Sequence, residues 1–196
     1  MKRVDISAGA ILLLSVIYFF GGITSLAALL LAVIVHELGH IAAIALYGGR
    51  VHGLKVSISG LCIICSGAGG TIESVICLCA GPAAGFALAY AASYFGNLSQ
   101  NLLLIKTAGF SLVLSVYNSL PALPLDGGRA LESIARCFGG TVFAQTLLEF
   151  TGMLTGTALL FAGAFFIRRQ FGAALFIAGV WVLTAQTGIV KSGSML

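Results

Sequence analysis

Hydrophobic positions in this chain fall in long runs rather than in the alternating or one-faced patterns of soluble strands and helices. Six runs can be marked off, at residues 6–20, 24–47, 72–94, 102–117, 142–167 and 171–190. A helix needs ~20 apolar residues to cross the ~30 Å hydrocarbon layer of a bilayer, so the pattern predicts an all-α polytopic membrane protein with about six transmembrane helices. Composition agrees. Hydrophobic residues make up 59% of the 196 positions and charged residues 8%, against roughly 25% charged in a soluble domain. Little chain is left over, and a single membrane domain over residues 1–196 is expected. Lys2 and Arg3 before the first run, with small residues at Ser25 and Ala27 after it, also resemble a cleaved signal peptide. Removing that run would leave an odd number of spans, so it reads as a retained helix.

The net charge of +4 changes the picture through its distribution. With the N-terminus inside, Lys2, Arg3, Arg50, Lys55, Arg129, Arg136 and Lys191 fall on the cytoplasmic side, and Lys106, Arg168 and Arg169 fall opposite. This bias follows the positive-inside rule and gives no reason to invoke nucleic acid. The expected location is therefore the cell membrane, multi-pass, with the N-terminus cytoplasmic.

Between the second and third runs the chain reads "GGRVHGLKVSISGLCIICSGAGG". Leu54, Val56 and Ile58 alternate with Lys55, Ser57 and Ser59, the period of a half-buried strand. A turn at Ser59 and Gly60 would return residues 61–65 as a second strand, giving a small membrane-associated β-hairpin. Strand edges are not tolerated against lipid, so the hairpin belongs at the interface or beside a wet cavity. There it is either a structural connector or an edge to which an extended peptide adds. Of the five cysteines, Cys62, Cys65, Cys77, Cys79 and Cys137, none has convincing zinc spacing, and reduced, small hydrophobes are expected.

Inside the second run stands "HELGH", residues 36–40. Residues four apart share a helix face, which puts His36 and His40 ~6 Å apart along the axis, a spacing that suits one metal ion. Glu37 points ~100° away from His36, within reach of a water activated by the metal and without displacing an imidazole. This is the arrangement in which two neutral imidazoles hold zinc and the glutamate accepts a proton. Each polar group at bilayer depth costs about 2–3 kcal/mol, so three within five residues argue for function over incidental hydrogen bonding between helices.

Catalytic zinc usually takes three protein ligands. The best candidate for the third is Asp126 in "NSLPALPLDGGR", residues 118–129. Pro121 and Pro124 remove two backbone donors there, and such a backbone is tolerated at membrane depth only where it lines a protein-enclosed, wet cavity. In the six-span topology the second and fourth runs both end on the cytoplasmic side, which would bring the ligands to one face.

With both motifs in hand, the chain resembles the site-2 protease family of intramembrane zinc metalloproteases. "HELGH" and "NSLPALPLDGG" carry the likeness, together with "AGPAAG" at residues 80–85, over roughly residues 24–139. The resemblance implies His36, His40 and Asp126 as ligands of one zinc ion, Glu37 as general base, and Asn118 as a catalytic residue that holds or polarises the substrate backbone. It implies a membrane metalloendopeptidase acting on a membrane-anchored protein substrate near the cytoplasmic face, in regulated intramembrane proteolysis, with a membrane regulatory partner. The compact layout is most similar to the sporulation-type branch that processes a sigma-factor precursor, with no inserted peptide-binding domain and no regulatory domain expected after residue 190.

Other polar residues have simpler readings. His52 is expected to be a surface or hydrogen-bonded residue. Glu132 and Arg136 form an i,i+4 pair on an interfacial amphipathic helix over 128–138. Glu73 suits the start of the third helix, and Glu149 suits the membrane interface. Two rival functions remain in view. A divalent-metal transporter should show paired sites or repeated halves, which are not found, and a catalytically silent scaffold should have lost one of His36, Glu37, His40 and Asp126.

Overall fold

Helices dominate, as the apolar runs predict. The computed structural model describes residues 4–6, 8–57, 60–66, 70–167 and 172–193, with the side chains of residues 4–6, 8–14, 16, 50–66 and 187–193 outside the description. In chain order the elements are β1 (Val4–Ile6), α1 (Ala8–Leu46), β2 (Arg50–Ser57), β3 (Gly60–Ser66), α2 (Thr71–Ser99), α3 (Leu102–Asn118), α4 (Asp126–Phe165) and α5 (Gly172–Gly193). They divide into two compact units, Met1–Asn118 and Ser119–Leu196.

In the first unit, α1 packs on α2 and α3, and its buried face is built from small and polar residues. Ser25, Ala28, Ala32, His36, His40, Ala43 and Ile44 are buried, while Leu30, Leu31, Ile34, Leu38 and Leu46 face outward. The pattern is the inverse of a soluble helix. It is the one expected where lipid solvates the large apolar side chains and helices associate through close backbone approach. The partners match. Helix α2 buries Cys77, Gly81, Pro82, Gly85, Ala89, Ala92 and Gly96, and α3 buries Thr107, Ser111 and Ser115. Ser111 Oγ donates to Gly85 O at 2.8 Å. A Cβ on Gly85 would fall on Ser115 Oγ, so only glycine permits this approach.

In the second unit, α4 and α5 pack in the same way through Gly152, Gly156 and Gly163 on α4. Helix α4 contains a positive-φ residue at Gly140 (φ 75°), a conformation closed to most side chains. The break lies between the expected interfacial stretch and the expected span, and the Arg136 Nε to Glu132 Oε1 pair forms at 3.0 Å in the first segment.

Two expectations are corrected. Six spans were expected, but among the described residues three helices are long and apolar enough to cross a membrane, Ile17–Leu46, Thr71–Ser99 and Asp126–Phe165. Leu102–Asn118 and the Gly172–Gln186 part of α5 are shorter apolar stretches; the 17 residues of α3 rise only ~25 Å against ~30 Å of hydrocarbon. The first run starts in β1, and its remainder forms the part of α1 before Gly22 (φ 70°), whose non-helical backbone kinks it away from the part that carries the second run. The second correction concerns the connector, which is a three-stranded sheet in the order β1-β2-β3 instead of an isolated hairpin. Strands β2 and β3 are antiparallel, with Leu54 opposite Ile63, and β1 pairs parallel to β2, with Val4 opposite Leu54. The third strand gives β2 a partner on the side that a lone hairpin leaves open.

The close approach at Gly85 can be tested directly. Gly85→Leu is expected to destabilise the protein by about 1–3 kcal/mol through overpacking, read as a lowered unfolding midpoint in detergent. Phe86→Leu, at an exposed neighbour, is expected to change it by less than about 0.5 kcal/mol. Equal effects of the two would show that the α2–α3 contact does not depend on glycine.

Candidate metal centre

Helix α1 delivers both histidines of the motif to one buried face, 3% and 8% exposed. Their rings meet edge to face at 5.0 Å between centroids. His40 Nδ1 lies 2.7 Å from Cys77 O on α2. A carbonyl oxygen only accepts, so Nδ1 carries the proton and Nε2 presents a lone pair. That lone pair faces His36 Nε2 at 3.3 Å. A proton or a cation has to lie between two ring nitrogens so placed. Two Zn–N bonds of ~2.05 Å at a tetrahedral angle set their nitrogens ~3.3 Å apart, so the donor pair fits zinc.

The position of His40 follows from small residues on α2 and α1. A Cβ on Gly81 would clash with His40 Nε2, and one on Gly39 would come within 2.6 Å of Ala80 O and 2.7 Å of Ala84 Cβ. Gly39 and Gly81 therefore let α1 and α2 come close enough for the imidazole to reach the Cys77 carbonyl. Such carbonyl partners fix the tautomer and ring orientation of metal-binding histidines. Neither feature was read from the sequence beyond the likeness of "AGPAAG". The four-residue spacing of Cys77, Gly81 and Gly85 was the available signal.

Glu37 is half-buried beside the pair, with Oε2 shielded from solvent. Asn118 ends α3, half-buried, and its Nδ2 donates to Leu114 O at 3.1 Å. Its amide is thus engaged with its own helix.

Asp126 stands in the second unit, half-buried at the first position of α4. A carboxylate is favoured there by the helix dipole. The loop before it folds back onto the helix start, with Ala122 N bonded to Leu120 O at 2.9 Å and Leu125 N to Ala122 O at 3.0 Å. A Cβ on Gly127 would meet Ser119 O, and one on Gly128 would meet the Ala122 carbonyl. The two glycines after Asp126 are what let the loop lie against the helix.

The remaining expectations resolve simply. Cys77, Cys79 and Cys137 are thiols outside any disulfide. The side chains of His52, Cys62 and Cys65 lie outside the described residues. Glu73 is in the first turn of α2, and Glu149 is half-buried on α4.

The Gly81 contact generates a measurable expectation. Gly81→Ala should displace the His40 ring and lower zinc affinity about 10–100-fold, the usual effect of disturbing a ligand's outer partner, measured by chelator competition on folded, detergent-purified protein. Undiminished affinity would show that the contact between the ring and α2 does not position His40.

No family model matches the chain. Proteins named "Putative zinc metalloprotease Rip3" in two strains of Mycobacterium tuberculosis are 27% identical to it over 181 residues, covering 86% of this chain and 44% of theirs. The chain thus spans less than half the length of these relatives. The solved structure of the site-2 protease from Methanocaldococcus jannaschii matches with a TM-score of 0.71 at 20% identity, over 94% of this chain and 89% of that one. The polypeptide has the site-2 protease fold.

Proposed function

We propose that this chain is a zinc-dependent intramembrane endopeptidase. The observation that carries the reading is the pair of Nε2 atoms 3.3 Å apart on a helix apolar and long enough to cross a membrane. The fold and the name of the mycobacterial relatives support it. His36, His40 and Asp126 are the ligands in this reading, on the strength of the two sequence motifs and a donor set, two imidazoles and one carboxylate, typical of catalytic zinc. The whole chain, residues 1–196, is read as one proteolytic domain.

A zinc ion held there supplies Lewis acidity and makes water available as a nucleophile near neutral pH. Glu37 takes the proton of the attacking water on a carboxylate oxygen and passes it to the leaving amine. Asn118, on exchanging its bond to Leu114 O for one to substrate, holds the scissile segment or steadies the charge developing on its carbonyl. A helical substrate keeps its carbonyls shielded, so at least one turn must open, and its freed groups need partners within the protein. The β-sheet connector and Asn118 are the partners this chain offers.

The substrate is accordingly a membrane-anchored protein, cut near the cytoplasmic face to release a cytosolic fragment such as a transcription or sigma factor. The orientation rests on the distribution of basic residues; the sporulation-type assignment and a membrane regulatory partner are part of the same proposal. A silent scaffold is disfavoured because His36, Glu37, His40 and Asp126 are all present.

Co-expression with candidate single-pass substrates tests the reading. The unaltered chain is expected to release a fragment into the cytosol, and Glu37→Gln to abolish release while retaining zinc. Asp126→Ala is expected to lose both. Zinc loss in Glu37→Gln equal to that in Asp126→Ala would contradict the separate roles, and a cut mapped by mass spectrometry to the outer face would contradict the orientation.

A further inference from the structure

Helix α5 carries a polar side chain that the catalytic reading does not use. Gln186 is 2% exposed, the largest of the fully buried side chains among the described residues. A carboxamide within an apolar helix pair is costly unless hydrogen-bonded. Its Nε2 reaches Leu123 O at 3.4 Å, a carbonyl three residues before Asp126. The path is specific, because the side chain passes over α4 at Gly152, where a Cβ would fall on its amide. Two features therefore meet at one point: a buried donor directed at the loop, and a missing side chain that leaves room for it.

The loop needs such a tie. Pro121 and Pro124 carry no backbone N–H, and within residues 119–125 the backbone contributes the two short bonds at Ala122 and Leu125. Gln186 adds a link from a different helix, between the two prolines, on the segment that leads into Asp126.

We propose that Gln186 is a positioning residue, which holds the Leu123 carbonyl and thereby fixes the loop that presents Asp126. The proposal rests on the reading of Asp126 as a zinc ligand. Gln186 touches neither metal nor substrate; it acts through the loop, and Gly152 is its clearance.

Two readouts on the purified chain test this. Amide hydrogen exchange over residues 119–129, measured without zinc, is expected to be faster in Gln186→Leu than in the unaltered chain by about tenfold or more. Zinc affinity by chelator competition is expected to fall about 10–100-fold, as for other outer partners of a ligand. Gly152→Ala, which crowds the amide without removing it, is expected to reproduce both changes, and to add little in the Gln186→Leu background because the two act on one contact. Gly152→Ala also serves as the test if Gln186→Leu does not fold. Unchanged exchange over the loop overturns the proposal. So does a lowered unfolding temperature with unchanged zinc affinity, the result of a purely structural role. Asp126→Ala separates this from the reading beneath it. If that variant keeps full zinc affinity while Gln186→Leu still loosens the loop, the ligand assignment fails and the tie between helix and loop stands.

Discussion

The hydrogen bond from His40 Nδ1 to Cys77 O, 2.7 Å long, is the interaction on which the rest of the first unit turns. It commits the ring's proton to a carbonyl and so leaves Nε2 available to a metal. It also requires two helices to approach within the reach of an imidazole. Large side chains would hold them apart, and the faces of α1 and α2 that meet there are accordingly built from alanine, glycine and the histidines themselves. In a soluble protein such faces would gain little from burial. In lipid, where leucine and phenylalanine are solvated on the outside, close packing and polar contacts are what hold helices together. The same composition that makes the chain a membrane protein makes the site possible.

The second unit answers a different difficulty, the presence of an irregular, proline-containing loop among apolar helices. Backbone groups there must find partners within the protein. Gly127 and Gly128 let the loop fold onto the start of α4, and Gln186 reaches it from α5 through the space left at Gly152. Glycine has a distinct purpose at each place. At Gly140 it supplies a backbone conformation, and at Gly152 it supplies room.

Much of this was legible in the sequence. The four-residue spacing of "HELGH" put two imidazoles on one helix face before any coordinates, and the gap between the short amphipathic stretch and the following apolar run coincides with the break at Gly140. What was misread followed from length. Counting apolar runs gives six spans, but a run of 15 to 17 residues rises too little to cross ~30 Å of hydrocarbon. Strand β1 was hidden because three residues carry no period. The Cys77 carbonyl is a backbone atom whose role depends on tertiary approach, and the four-residue spacing of Cys77, Gly81 and Gly85 marks only the helix face on which it lies. Gln186 did have one, as a lone amide in an apolar run, and it was passed over.

Zinc K-edge X-ray absorption on the purified chain tests the proposed metal centre most directly. Two imidazole nitrogens at about 2.0–2.1 Å and oxygen at about 2.0–2.2 Å, with no sulfur, are expected. Sulfur at about 2.3 Å, or fewer than two imidazoles, would place the metal elsewhere and contradict the assignment of His36 and His40 as its ligands.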